Sequence, residues 1–444
     1  MGMSVKCLYC AREINPDEVV FYWENPKGDS DQIYAEFLLH VRDASGHERK
    51  GYYYTKKENA DDILHEDTKN GFPISLTVRT QQGDTDDRFA ATERKLTTAL
   101  CPHCHCELPL ETMVEDKVTQ HHVLMLGGSG AGKTTYIISA LHQMEKNYSD
   151  GLQLGSFTIC SESRPYYDAM LESYKKAKLD ATPVGEDGKI IFPMAFQIGG
   201  KTGNNQSVSS TFVILHDFPG EAMQNSDYVA NLHGIEEMDT IIVMTDVHQF
   251  YNVQEESVEG TRACEDSFTN MFVNLKAKVF PGMKKVKTVV GVLLKVDLIM
   301  KDDPLGGENG YIVKGSPLFE SDLTDQHRNE VDMGVMDTVS NSVDQLIQNR
   351  TESSSGLCTR LKNQFAAMKP TPETYKAFAV STFTYNKAAG QWENDPDKAG
   401  HRALEPLIYL LAHWGVVPTQ WAKAVDVDVD VDDRPWWKRL FRRS

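Results

Sequence analysis

No stretch of this 444-residue chain stays apolar for long enough to cross a bilayer. The longest runs are Thr288–Leu294 and Leu407–Val417, and His413 interrupts the second. Met1-Gly-Met-Ser-Val-Lys-Cys7 has no secretory apolar core, and Lys6 departs from the myristoylation pattern. Without an export signal the chain is expected in the cytoplasm. There its eight cysteines stay reduced, and paired ones point to metal rather than to disulfides. Basic residues are also scarce: 46 Lys and Arg against 64 Asp and Glu leave a formal charge of −18. That excess repels phosphate backbones at long range, which argues against nucleic acid as the main partner. No repeat of solenoid or propeller period is present. With 40% apolar residues, the chain has the composition of an ordinary folded protein and the length for two or three domains.

Three regions differ in character. Residues 1–120 open and close with Cys-x-x-Cys pairs, Cys7/Cys10 and Cys101/Cys104. Between them lie strand-like segments such as Gln32–Val41 and Pro73–Thr80, separated by Gly, Asn and Asp. Two residues between thiolates let one tight turn supply two ligands, and two such turns complete a tetrahedral Zn²⁺ site. About ninety residues separate the pairs, so the metal would staple the ends of an inserted β module rather than a compact ribbon. Cys106, His103 and His105 stand as substitute ligands at the second pair. Free cysteines or a redox pair are the plainer alternatives.

Residues 121–420 alternate short, buried-looking runs with longer polar or helical stretches. The runs are Val123–Leu126, Thr211–Leu215, Thr240–Met244, Thr288–Leu294 and Ala377–Val380. Continuous apolar runs of that length suit central strands covered on both faces. The alternation predicts a doubly wound, mostly parallel α/β sheet. It implies long inserts around 145–205 and 300–370, and Leu404–Trp414 reads as an amphipathic helix packed on the sheet.

Gly127-Gly128-Ser129-Gly130-Ala131-Gly132-Lys133-Thr134 matches G-x-x-x-x-G-K-[ST] in full, between a strand and the helix expected over Thr134–Glu145. Glycines let several backbone N–H groups converge on one anion, and the helix N-terminus adds partial positive charge. Lys133 is expected at the β and γ phosphates, Thr134 on Mg²⁺, and Thr135 beside them. A degenerate site that binds without hydrolysing is the blander alternative. Asp217 closes the run Phe-Val-Ile-Leu-His-Asp, at the carboxyl edge of the sheet beside this loop, where a carboxylate can hold Mg²⁺. Gly220, three residues on, can offer its N–H to a γ-phosphate and flex when that group leaves.

Strand, phosphate loop and Asp-x-x-Gly in this order resemble the translation-factor-like branch of GTPases. The resemblance implies a base-reading Asn/Thr-Lys-x-Asp, and Leu294-Lys295-Val-Asp297 lies in its place. Asp297 would accept hydrogen bonds from guanine N1 and N2, the Lys295 stem would stack over the ring, and Ser381 or Thr382 would approach O6. Leu294 departs from the family's polar residue and removes a tie between base loop and phosphate loop. Glu221 stands where related proteins carry the water-positioning Gln or His, so slow intrinsic turnover and activation by a partner are expected. Thr182 is the positional candidate for the switch Thr. Over 121–420 the motif order also resembles the double-GTPase proteins of bacterial conflict, or anti-phage, systems. That resemblance implies GTP/GDP, Mg²⁺ and protein partners, a second GTPase or an effector. An ATPase of the same loop class, or a nucleotide-stabilised scaffold, is the competing reading.

Residues 421–444 carry an acidic Val-Asp run, then Trp436, Trp437, Leu440 and Phe441 interleaved with Lys438, Arg439, Arg442 and Arg443. The run reads as a solvated linker. The end reads as a peptide that docks to a partner or weakly to an anionic membrane, or else folds back on the chain's own acidic surface.

Overall fold

A computed structural model describes residues 5–24, 51–57, 60–81, 91–114, 118–128, 130–147, 156–176, 193–199, 210–218, 234–247, 272–298, 331–350, 356–382, 384–386, 391–393, 400, 402–417 and 419–420. The strand-like Gln32–Val41 and the whole of 421–444 lie outside these residues.

A seven-stranded sheet organises the larger part of the chain. Its strands are β1 (Thr119–Gly127), β2 (Phe157–Ile159), β3 (Met194–Gly199), β4 (Ser210–Asp217), β5 (Met238–Asp246), β6 (Thr288–Leu294) and β7 (Thr374–Ala379). The spatial order is β2-β3-β4-β1-β5-β6-β7. From β4 to β7 neighbouring strands are parallel, while β3 and β2 extend the β4 edge antiparallel. Four of the five expected runs lie within a parallel strand, the fifth, Ala377–Val380, runs one residue past β7, and β6 has the expected bounds.

The correction concerns the stretch read as an insert around 145–205. It holds β2, β3 and a helix, α2 (Arg164–Lys175), which packs along α1 (Lys133–Asn147). Tyr174 Oη donates to Ser139 Oγ at 3.3 Å, and Arg164 pairs with Glu145 at 2.6 Å, so the two helices run antiparallel. Likewise, 300–370 contains α3 (Met333–Arg350) and α4 (Leu357–Phe365), both set against the β6–β7 edge. Gly291 makes the close approach of α4 feasible, because a β-carbon there would lie 2.8 Å from both Leu357 and Leu361.

A second correction concerns the last helix, α5 (Glu405–His413). It is not amphipathic: every residue from Glu405 to Ala412 is buried. Its sequence explains this, since Leu407 to Ala412 is apolar without a break and leaves no solvent face.

The cysteine-bearing N-terminal part forms two small three-stranded antiparallel sheets. One pairs Val20–Glu24 with Gly51–Tyr54 and Thr98–Leu100; the other joins Ile63–Lys69, Phe72–Gln81 and Ala91–Leu96. Its apolar residues share one core with Cys160, Ala195, Phe212 and Ile214 of the large sheet. Side chains alternate along β4, so Val213 and Leu215 enter the main core with α1 while Phe212 and Ile214 face the module. On the module's side of the sheet, His122 Nδ1 and His216 Nε2 lie 3.1 Å apart, both buried. Lys6 also pairs with Glu237 at 2.7 Å, and the Glu107 N–H donates to Glu162 at 2.6 Å.

Candidate functional site

The carboxyl ends of β1, β4, β5, β6 and β7 meet along one edge, and most of the sequence candidates gather there. β1 ends at Gly127, where a β-carbon would lie 2.7 Å from the Met244 carbonyl oxygen of β5. The loop then turns through left-handed Gly130 and Gly132, at φ 72° and 94°. Gly132 already accepts the first helical bond of α1, from the Tyr136 N–H at 2.9 Å. Ala131 is buried beneath the loop, and Thr135 lies in the first turn of α1. The buried Lys133 ammonium donates to the Gly127 and Gly128 carbonyls at 3.1 and 3.5 Å, so it is held back along the loop.

Thr134 Oγ1 donates to Asp217 Oδ2 at 2.9 Å. This joins the two residues expected at Mg²⁺ across the β1–β4 boundary. Asp217 Oδ1 is buried and has no hydrogen-bond partner among the described residues. Burial raises the Asp217 pKa, opposed by the Lys133 charge and the Thr134 hydroxyl. A buried carboxylate oxygen with no donor, beside a hydroxyl, suits a hard cation. Tyr166 of α2, which the sequence reading missed, has a buried hydroxyl without a partner among the described residues and feels the Asp217 charge.

Further along the same edge, Asp297 sits in a 3₁₀ turn after β6, and Ser381 follows β7. The Ser381 hydroxyl donates to Asp297 Oδ1 at 2.5 Å, bringing the two sequence candidates together. Burial raises the Asp297 pKa and the Ser381 hydrogen bond opposes it. Backbone bonds Val296 N–H to Val380 O and Val380 N–H to Leu293 O lock the two loops.

Lys295 adopts a left-handed φ of 60°, and its ammonium meets the buried Asp246 carboxylate at 2.6 Å. Asp246 was not singled out from the sequence, although its signal was there: an acid directly after a buried run at the binding edge. Leu294 is buried, its Cδ1 3.9 Å from where a Gly132 β-carbon would be. The Leu294 side chain thus lies apolar beside the loop. Ser129, Gly220, Glu221 and Thr182 lie outside the described residues.

The four cysteines form a second centre. Sγ of Cys7 lies 3.5 Å from that of Cys104, Cys10 lies 3.7 Å from Cys101, and all four fall within 4.8 Å of one another. A tetrahedron with Zn–S bonds of about 2.3 Å has edges of about 3.8 Å, so the thiolates fit such an ion. The two turns are built alike. Cys7 O accepts from Ala11 and Cys101 O from His105, at 3.0 and 2.9 Å. Ala11 and His105 both take left-handed φ, and the Tyr9 and His103 N–H groups point at the Cys7 and Cys101 sulfurs. Of the substitute ligands, His103 turns to the Glu13 carbonyl and Cys106 to the Cys104 carbonyl. The cluster that could hold a metal comprises Cys7, Cys10, Cys101 and Cys104. No helix among the described residues is long and apolar enough to cross a membrane.

No family model matches the chain, and no curated protein matches it. Among solved structures it is similar to the GTPase-like domain of Ski7 from S. cerevisiae, bound to GDP and inorganic phosphate. The identity is 14%, the TM-score 0.27, and the match covers 68% of this chain and 51% of that one. The chain therefore spans about half the length of that protein chain.

Proposed function

We propose that this protein is a GTP-binding and GTP-hydrolysing switch that uses Mg²⁺ and carries a structural Zn²⁺ in front. The observation that carries the proposal is the Thr134–Asp217 hydrogen bond at the mouth of the phosphate loop, with an unmet carboxylate oxygen beside it. In this reading the N–H groups of residues 127–132, Ser129 included, cradle the phosphates, and Lys133 leaves its loop carbonyls for the β and γ oxygens. Thr134 and Asp217 would hold Mg²⁺, which would supply positive charge to the phosphate oxygens. The Asp297 carboxylate, held by Ser381, accepts from the two guanine donors that adenine lacks. Gly220 and Glu221 belong to the segment that senses the γ-phosphate, and the acid at 221 makes unaided turnover slow. Activation then falls to a protein partner, a second GTPase or an effector, in the conflict-system setting that the motif order implies. Cys7, Cys10, Cys101 and Cys104 hold Zn²⁺ in a closed site with no open coordination position.

The test is competition of GTP and ATP against a fluorescent nucleotide, on the wild type and on Asp297→Asn. GTP preference that moves to xanthine nucleotide in the variant is the expected result. Equal competition by ATP, with no effect of the substitution, would overturn the guanine assignment. The buried, apolar Leu294 beside Gly132 favours one other reading, a nucleotide-stabilised scaffold. Phosphate release separates the two, because a scaffold binds GTP and liberates none.

A further inference from the structure

Behind Ser381 lies a buried ion pair that the proposed chemistry does not use. Arg402 Nη2 and Nε meet the two Glu405 oxygens at 2.7 and 2.9 Å, with both side chains at most 1% exposed. Arg402 is the largest fully buried side chain among the described residues, and its backbone takes a left-handed φ of 55°. An arginine is rarely placed there unless its surroundings fix it. Two residues earlier, Gly400 is pressed against the base-side loop. A β-carbon at Gly400 would fall on the Ser381 carbonyl oxygen and lie 2.8 Å from Thr382 Cα. The Ala403 N–H to Gly400 O and Glu405 N–H to Arg402 O bonds close the turn between them. Burial and the Glu405 charge push up the hydroxyl of Tyr136 on α1, so the pair also faces the helix that begins at Lys133.

Glu405 stands in the first turn of α5, and an exposed acid there would suffice to favour the helix. Burying two charges fully and holding arginine in a left-handed conformation goes far beyond what a helix start requires. The turn that Gly400 opens packs on the peptide of Ser381, whose hydroxyl holds Asp297.

We infer that Gly400, Arg402 and Glu405 are positioning residues for base recognition: they fix Ser381, and through it Asp297, at the guanine edge. The inference rests on the guanine reading proposed above. Their effect is expected first on base recognition, since Gly400 packs on the Ser381 peptide.

The experiment measures displacement of a fluorescent guanine nucleotide by GTP, ATP and inorganic tripolyphosphate. The proteins are the wild type, Gly400→Ala, the doubly neutral Arg402→Met/Glu405→Gln, and Ser381→Ala alone and combined with Gly400→Ala. Melting curves accompany every variant. GTP affinity and the GTP-to-ATP ratio are expected to fall about tenfold in Gly400→Ala and in the double variant, with tripolyphosphate binding unchanged. Gly400→Ala should add almost nothing on top of Ser381→Ala, because both act through one hydrogen bond. Folded variants that keep the wild-type ratio would overturn the inference, as would equal losses for GTP and tripolyphosphate. If the wild type itself shows no guanine preference, the reading beneath the inference fails first and both are withdrawn.

Discussion

At Asp217 one carboxylate oxygen accepts the Thr134 hydroxyl while the other, also buried, meets no donor among the described residues. Burial raises its pKa, so in the metal-free protein the folded state binds the proton more tightly than the unfolded chain does. The stability this confers is present below the ordinary carboxylate range and is lost as pH rises through the raised value. Mg²⁺ needs the opposite, ionised form, so affinity for Mg²⁺-nucleotide should fall as pH drops through that same value. Asp217→Asn should therefore raise the melting temperature of the metal-free protein by about 2–4 °C. It should also weaken Mg²⁺-nucleotide binding on the order of a hundredfold. Calorimetry and nucleotide titration across pH check both signs. At this scale the sequence was informative where chemistry is contiguous: residues 127–134 carry their meaning in one unbroken pattern. It was silent about the Lys295–Asp246 and Arg402–Glu405 pairs. The first depends on two strands ending side by side, and the second depends on burial, which an i,i+3 spacing alone does not declare.

Single elements show why the sheet was legible and its edge was not. β1, β4, β5, β6 and β7 are buried apolar runs whose boundaries follow from composition. β2 has only three residues, and β3 interrupts its apolar run with Gln197, so neither stood out from the polar segments around it. For α5 the misreading came from expecting a solvent face on a terminal helix. Its burial implies that Leu410→Ala costs about 2–5 kcal/mol, read by urea denaturation. Between β1 and β4, the facing His122 and His216 are both held well below the usual histidine range by burial, His122 down to about 4. The unfolded chain takes up these protons first. Stability is thus fully present above about pH 6.5 and lost as pH falls toward the folded value. His122→Asn should flatten the urea midpoint against pH over that window.

Among the described residues, the cysteine module and the large sheet share a core through Phe212 and Ile214, five and three residues upstream of Asp217 on the same strand. The first knuckle also reaches the segment that leads into β5, where a Gly234 β-carbon would lie 3.3 Å from that of Ala11. If the proposed Zn²⁺ and GTP are bound, a chelator, or Cys101→Ser, should therefore lower the melting temperature and weaken GTP binding together. Loss of stability with unchanged GTP affinity would show the module to be energetically separate. The seam at 120/121 was drawn from a change of rhythm along the chain, which reports composition and not which faces are pressed together.

The shared core also imposes an order on how this protein is made. The last thiolate turn leaves the ribosome roughly a hundred residues before β4, a delay of about 5–20 s at ordinary synthesis rates. During that interval the module has its metal ligands but not the strand that covers its apolar side. The nascent chain must keep that side from sticking elsewhere. When β4 arrives, Phe212 and Ile214 close that apolar side, so the cysteine module is in place before the strand that joins it to the large sheet.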